Sequence, residues 1–245
     1  MKEKKKLPTL EFLPFDTDLF GIRCGKITFF SSEILKDEIL GLILHAKKEK
    51  YKHIVTKVPK EWDHAESFLT DCGFQLIVES VELKKEIFLR SALPNDISVF
   101  RGKEKCRLIE LTQKAFSSGT RFHLDTYLSS EKATELHEQW IKNLMENTNI
   151  KILTHRLKDE ITGYVTIDFQ GSEIEKGHIG LFAVDKKYSG IGIGNRLLKA
   201  LECFSSNQLN VLWTMTENNN EDALKTYFGN GFKTIQKWNV FHLVT

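Results

Sequence analysis

The chain has 245 residues, a formal net charge of +2 and 41% hydrophobic residues, which suffices for one large core or two smaller ones. So balanced a charge gives no argument for binding a nucleic acid polymer or a membrane surface. No apolar run approaches the ~20 residues of a membrane-spanning helix, and the first residues lack the apolar core of a signal peptide, so we expect a cytoplasmic protein.

The cysteines and histidines do not form a metal-binding pattern along the chain. The cysteines are scattered, and no two of them have the spacing of a zinc-ligand pair; they are Cys24, Cys72, Cys106 and Cys203. We therefore expect buried free thiols, no metal site and no disulfide framework.

The amino-terminal region begins with a lysine-rich tail, KEKKK, which is typical of a solvated segment. Residues 55–74, VTKVPKEWDHAESFLTDCGF, then predict a strand and a helix with a Gly-Phe stop, and the strand-like run LIVESVELKK follows. Pro94 and Asn95 interrupt regular structure, and we place a domain boundary there.

Beyond the boundary, helices are predicted near residues 110–118 and over roughly 130–147. Two β-rich runs, 151–156 and 161–169, are joined by a polar turn and predict a hairpin. A strand over 178–184, a glycine-rich turn with a helix, a strand from Val211, a further helix and a final strand complete the chain. We predict a mixed α/β sheet with mostly antiparallel pairs.

The glycine-rich turn is the clearest chemical feature of the sequence. Gly190, Gly192 and Gly194 separate an apolar strand from an amphipathic helix, and the N–H groups of such a turn, with the positive end of a helix dipole, suit a phosphate. A P-loop is excluded because Asn195 and Arg196 follow Gly194, and Asn195 also stands where a dinucleotide fingerprint has its third glycine. A turn that merely connects a strand to a helix stays an alternative.

A second motif follows the strand-like run VLWTMT. In NNNEDALKTYFGNGF, asparagines can cap a helix that carries Ala223 and Tyr227 and stops at Gly231-Phe232. The two motifs together resemble those of the GNAT superfamily of acetyl-CoA-dependent N-acetyltransferases, whose pyrophosphate loop is Arg/Gln-x-x-Gly-x-Gly/Ala and whose later motif is Asn-x-x-Ala-x-x-x-Tyr-x-x-x-Gly-Phe.

The sequence departs from the first of these motifs at Ser189, which stands at the Arg/Gln position of the family pattern. This removes one cation near the pyrophosphate. Lys186, Lys187 and Arg196 are close enough along the chain to replace it.

The resemblance implies a GNAT fold in which acetyl-CoA lies between two splayed strands with its pyrophosphate on the glycine turn. The cofactor-binding residues it implies are Phe182, Ala183, Val184, Ser189, Gly190, Ile191, Gly192, Ile193, Gly194, Asn195 and Asn220. Free backbone N–H groups near residues 182–184 would hydrogen-bond the thioester oxygen. For Asn220 a plain helix cap is the alternative.

Tyr227 is the predicted catalytic acid. A phenol is protonated at neutral pH and can donate its proton to a departing thiolate, although most tyrosines at such a spacing are packed aromatic residues. His178 lies on the strand that enters the site, as a substrate-side residue and candidate base, with a structural role as the alternative. Because an amine can lose its proton to water, the identity of the base stays open.

Residues 55–74 align without gaps with residues 213–232, so that Ala65 matches Ala223. Leu69 then stands at the position of Tyr227, and the first copy has no glycine loop. We interpret residues 1–95 as a truncated, catalytically silent GNAT-like half-domain and residues 96–245 as the catalytic domain.

A closer resemblance concerns the acceptor. The stretches LEFLPFDTDLFGIRCGKI, AFSSGTRFHLD and HEQWIKNL are similar to those of the dTDP-fucosamine (dTDP-4-amino-4,6-dideoxygalactose) N-acetyltransferase family, which serves bacterial surface-glycan and lipopolysaccharide assembly. This implies a nucleotide-linked amino sugar as substrate. Arg121, Phe122 and His123 are its candidate ligands, because diphosphates need cations and sugars need polar and aromatic walls. For Arg121 a surface position is the alternative.

Two rival functions stay open on the sequence: an acetyltransferase for another amine, such as a peptide amino terminus, a polyamine or an antibiotic, and a non-catalytic acyl-CoA-binding protein. A homodimer paired through the strand-rich carboxyl terminus is a further hypothesis.

Overall fold

The computed structural model describes residues 6–33, 36–87, 92–169, 176–206 and 208–245. Its helices are α1 Pro14–Phe20, α2 Lys36–Lys48, α3 Ala65–Asp71, α4 Lys105–Ala115, α5 Arg121–Leu124, α6 Ser130–Glu146, α7 Ile193–Ser205 and α8 Glu221–Gly229. Its strands are β1 Thr9–Phe12, β2 Cys24–Thr28, β3 His53–Pro59, β4 Gln75–Glu86, β5 Ile97–Val99, β6 Ile150–Leu157, β7 Glu160–Phe169, β8 Lys176–Val184, β9 Val211–Glu217 and β10 Lys233–Val244.

The strands form one mixed sheet in the order β1-β2-β3-β10-β4-β9-β8-β7-β6-β5. Within the described residues β2–β3 and β8–β9 pair in parallel, and the other neighbours pair antiparallel, as the sequence predicted. The predicted β6–β7 hairpin is present. Helix α6 begins after Ser129, whose hydroxyl accepts from the Lys132 amide at 3.4 Å.

The centre of the sheet has an approximate two-fold symmetry. His53 and Val211, the first residues of β3 and β9, are separated by the same number of positions as Gln75 and Lys233, the first residues of β4 and β10. The same shift relates the Lys84–Lys233 pair to the Gln75–His242 pair, and both pairs occur in the β4–β10 ladder. An internal duplication would produce this arrangement, with the offset of the sequence alignment.

The two halves of the chain are interleaved in this sheet. Strand β10 lies between β3 and β4, and β4 lies between β10 and β9, so each half receives a strand from the other. The boundary between residues 95 and 96 stays a prediction, because the two regions share a sheet.

The helices cover the sheet on both faces. Helices α2, α3, α7 and α8 pack on one face, around residues such as Ile54 and Leu212. Helices α1, α4, α5 and α6 pack on the other face, around residues such as Phe122 and Tyr164. The acceptor side of the site described below lies on this second face.

Three further expectations can be compared with the fold. In the described part of the chain no helix has the length and apolarity to cross a membrane. Among the described residues the four cysteines form no disulfide. Cys24 is buried, whereas Cys106 is exposed, so the expectation of a buried thiol is wrong for Cys106. Both edges of β10 are hydrogen-bonded within the chain, to β3 and β4, so this strand offers no free edge to another subunit. The homodimer itself stays a prediction.

Candidate active site

Two parallel strands diverge beside the glycine turn. Strands β8 and β9 pair only as far as His178 and Trp213, although β8 continues to Val184. At the divergence the Thr214 hydroxyl donates to the Ile179 carbonyl at 3.0 Å. Beyond it, the N–H groups of β8 that point toward β9 have no strand acceptor there. This is the wedge that the resemblance implied.

The glycine turn lies at the wide end of this wedge. Gly190 and Gly192 have φ of +80° and +87°, a left-handed conformation that glycine adopts without strain. Helix α7 begins at the next residue, so its free N–H groups face the turn. At Gly194 a Cβ would stand 3.2 Å from Thr226 Cγ2 and 3.3 Å from Phe182 Cζ, which explains a third glycine.

An ion-pair network holds the turn in place. Asp185, at the end of β8, accepts from the Lys187 amide at 3.0 Å and from Arg107 Nη2 at 2.6 Å. These two partners hold the pKa of Asp185 below its usual value. Tyr188 donates to Glu160 at 3.0 Å. The loop is therefore preorganised by polar contacts with α4 and β7.

A cleft of about 640 Å³ opens between the turn, β8 and α8. It is lined by most of the predicted cofactor residues, namely Phe182, Ala183, Val184, Ser189, Gly190, Gly192, Ile193, Gly194, Asn195 and Asn220. Ile191 is not among the lining residues and is 63% exposed, so its predicted contact is not found. Asn220 also caps α8 by accepting from the Ala223 amide at 3.3 Å, so the cap and the cleft position coexist.

The cations near the turn have different positions. Lys186 and Lys225 line the cleft and can compensate for Ser189. Arg196 does not line it, because its guanidinium pairs with Asp96 at 2.7 Å. The expectation that Arg196 replaces the missing cation is therefore wrong.

Tyr227 is packed beneath the cleft. It is 3% exposed and is not among the lining residues. Its ring lies 5.9 Å from that of Phe182 and 5.1 Å from that of Phe232. Burial raises the pKa of Tyr227 to about 12, opposed by a hydrogen bond with Thr214. The residue has a packing role in this structure, and its role as the acid stays a prediction.

Another part of the cleft, which we call the acceptor end, is lined by residues that the sequence analysis did not single out. Phe116, Ser118 and Thr120 line it from the α4–α5 connection, and Glu217 and Asn219 line it from the end of β9. A carboxylate at the end of a strand, followed by a run of asparagines, was the available signal for Glu217.

The residues predicted to bind the substrate mostly have other roles. Phe122 is 4% exposed and stacks on Phe20 with centroids 6.1 Å apart. His123 is hydrogen-bonded through both ring nitrogens, to Thr120 at 2.7 Å and to Thr134 at 3.1 Å.

His178 also lies outside the lining of the cleft. Its ring packs against that of Trp213, with centroids 4.2 Å apart, where β8 and β9 are still paired. Burial lowers the pKa of His178. Phe122, His123 and His178 do not line the cleft, and their role in binding the substrate stays a prediction. Arg121 follows Thr120 directly, and its amide donates to Glu217 Oε1 at 3.4 Å.

One buried cluster has residue types that bind metals. Its ligand atoms, from His53, Asp125 and His242, lie within 4.8 Å of one another. Asp125 Oδ2 is 2.7 Å from His53 Nε2 and 2.6 Å from His242 Nδ1. These are hydrogen-bond distances, whereas two ligands of one tetrahedral ion stand about 3.3 Å apart. We interpret the cluster as a hydrogen-bonded network that ties the α5 turn to β3 and β10.

Comparisons with known proteins are consistent with this geometry. Residues 123–243 match the family described as acetyltransferase (GNAT) domain. No curated protein gave a significant match.

Similar solved structures include a protein of unknown function from Staphylococcus epidermidis, with 12% identity, a TM-score of 0.68 and coverage of 100% of this chain and 94% of that one. A GCN5-related N-acetyltransferase from Sphaerobacter thermophilus has 10% identity and a TM-score of 0.67, with coverage of 97% and 76%. A tandem GNAT protein from the clavulanic acid biosynthesis pathway has 13% identity and a TM-score of 0.59, with coverage of 90% and 75%.

At such identities these structures establish the fold, and the domain match establishes the class of chemistry. The chain carries a GNAT acetyltransferase domain on an α/β GNAT fold and is an acyltransferase of that type.

Proposed function

We propose that the chain transfers the acetyl group of acetyl-CoA to a primary amine of a small acceptor. The observation that carries the proposal is the cleft in which a glycine turn at the amino end of α7 adjoins two diverging strands. A diphosphate suits the helix end, and an extended acyl arm suits the wedge between the strands.

The donor half of the site divides the work between backbone and side chains. The amides of residues 189–195 hold the pyrophosphate, and Lys186 and Lys225 supply positive charge. The unpaired N–H groups of β8 hydrogen-bond the thioester oxygen as negative charge develops on it. These donors are fixed before the reaction, so they need no reorganisation.

The acceptor half supplies a carboxylate. The attacking amine must be neutral, and Glu217 stands at the acceptor end of the cleft, where it accepts the proton of the ammonium group. The nitrogen then forms a bond to the carbonyl carbon, the carbon–sulfur bond breaks, the nitrogen releases a second proton to water, and the thiolate takes a proton. Tyr227 is the proposed donor of that proton, because its phenol keeps its hydrogen at neutral pH.

The acceptor that we propose is an amino sugar carried on a nucleoside diphosphate, of the dTDP-4-amino-4,6-dideoxyhexose type, used for surface glycans. The stretches quoted for that family support it, together with Arg121 beside the acceptor end. Incubation with acetyl-CoA and a panel of dTDP- and UDP-amino sugars, polyamines and peptides, with free thiol as readout, separates this acceptor from the other amines.

The proposed acetyl-CoA site can be tested by introducing a negative charge into the glycine turn. Gly190→Asp places a carboxylate beside the pyrophosphate and should weaken acetyl-CoA binding by tenfold or more, about 1.4 kcal/mol or above. Gly102→Asp is the matched control, because Gly102 has φ of +82° and equally open surroundings but does not line the cleft. Calorimetry that shows equal affinity in both variants contradicts the proposed cofactor site.

A further inference from the structure

Arg121 has an unusual environment for an arginine of this chain. It is half-buried, and its Cζ lies 4.3 Å from the centroid of the Phe122 ring. Its guanidinium has no hydrogen bond or ion pair with any described residue. Its hydrogen bonds are those of the backbone: the amide donates to Glu217, and the carbonyl accepts from the Asp125 amide. The arginines that pair with carboxylates are Arg107, Arg156 and Arg196.

Lys57, on β3 of the first half, is in a similar state. It is half-buried, its Nζ lies 4.4 Å from the centroid of the Trp238 ring, and no described carboxylate is within ion-pair distance of it. The indole is held in place because its Nε1 donates to Glu82 at 2.8 Å. Burial lowers the pKa of Lys57, and the charges of Lys26 and Arg121 lower it further, against Glu82.

Both cations are on the face of the sheet where the acceptor enters. Glu217 pairs with Ser80, Ser80 pairs with Trp238, and Trp238 pairs with Pro59, so these side chains form a row on one face. Lys57 precedes Pro59 by two positions and shares that face. Trp238 is thus two strand spacings, roughly 10 Å, from Glu217, with the buried Ser80 between them.

Cations that are partly desolvated without a direct partner are costly, and a bound oxyanion would relieve that cost. The carboxylates of Asp16 and Glu217 act on Arg121, and Glu82 acts on Lys57, but from beyond ion-pair distance. Room for further N–H···O bonds therefore remains on both cations.

We propose that Arg121 and Lys57 together bind an oxyanion group of the acceptor, a phosphate or a carboxylate, while the amine of the acceptor lies at Glu217. The first half of the chain, without a glycine loop of its own, thereby supplies part of the acceptor site. This inference rests on the proposed function, since it assigns the far end of the same acceptor.

The test uses the full chain saturated with coenzyme A, so that the glycine turn is occupied. dTDP, succinate and uncharged thymidine are titrated calorimetrically into the wild type and into Lys57→Met, Lys57→Arg and Lys52→Met. We expect dTDP, succinate or both to bind the wild type, thymidine not to bind, and Lys57→Met to weaken binding by about tenfold. Lys57→Arg should retain the affinity, and Lys52→Met, at an exposed lysine, should match the wild type.

Two results would overturn the inference: no binding of either anion to the chain saturated with coenzyme A, or equal binding by the wild type and Lys57→Met. Each of them leaves the proposed function standing if coenzyme A itself binds and simple amines are acetylated. Failure of coenzyme A to bind in the same titration would instead refute the proposed function.

Discussion

His137, on α6, allows a quantitative prediction about stability. The residue is 3% exposed, its ring stacks on Phe116 with centroids 4.8 Å apart, and its Nδ1 lies 2.8 Å from the Ala133 carbonyl oxygen, to which it donates. Burial lowers its pKa from 6.5 to about 4, and the hydrogen bond to Ala133 opposes this only in part. The folded protein therefore holds this ring neutral at pH values at which the unfolded chain protonates it.

The sign and the size of the effect follow from linkage. Between pH 6.5 and about 4 the unfolded state binds a proton that the folded state does not bind, so the free energy of unfolding decreases as the pH falls through this window. At pH 5 the loss relative to pH 8 is about 2 kcal/mol for His137 alone. His242, whose pKa burial also lowers to about 4, adds a similar loss to the wild type.

Urea denaturation at pH 8, 7, 6 and 5 measures these losses. His137→Phe keeps an aromatic ring but removes the titrating group, so it should lose about 2 kcal/mol less than the wild type between pH 8 and 5. His137→Gln serves if the phenylalanine variant does not fold. The exposed His45 provides the control, since His45→Gln should follow the wild type. Parallel profiles for the wild type and both His137 variants would refute the assignment of a buried neutral ring.

Two further predictions concern the chemistry. Tyr227→Phe should lower kcat by about a hundredfold and leave the affinity for acetyl-CoA nearly unchanged, because only the proton donor is lost. Tyr164→Phe, at another buried tyrosine, is the control. Full activity of Tyr227→Phe would remove the residue from the mechanism. Glu217→Gln should lower kcat/KM by about a hundredfold at neutral pH and by much less at high pH, because the free amine is abundant at high pH. Asp222→Asn, at the other carboxylate that lines the cleft, should not show this pH dependence.

The acetyl-CoA side of the site could be predicted from the sequence because its residues are close together along the chain. A strand, the glycines and a helix are consecutive, and positive φ at Gly190 and Gly192 is a property of the backbone itself. The pattern therefore predicted the turn, the start of α7 and most of the lining residues. It did not show that Ile191 is exposed and does not line the cleft, since the spacing of the glycines does not reveal the orientation of a side chain within an irregular turn.

The acceptor side was predicted less well because it is assembled from distant segments. In the stretch AFSSGTRFHLD, the sequence analysis selected Phe122 and His123 for their chemistry. The packing of α5 buries Phe122 against Phe20 and instead presents Thr120 to the cleft. The strand end that carries Glu217 meets this turn only in the folded chain, so spacing along the sequence contained no signal for their proximity.

The sequence by itself determined the class of chemistry and the order of the elements, because glycine conformation, helix caps and apolar periodicity act over a few residues. Only the tertiary structure decided that β10 enters between β3 and β4, that Asp125 joins His53 to His242, and that Lys57 shares a face with Glu217. These contacts join segments far apart in the chain, and they form because strand pairing and burial of apolar faces are optimised over the whole sheet.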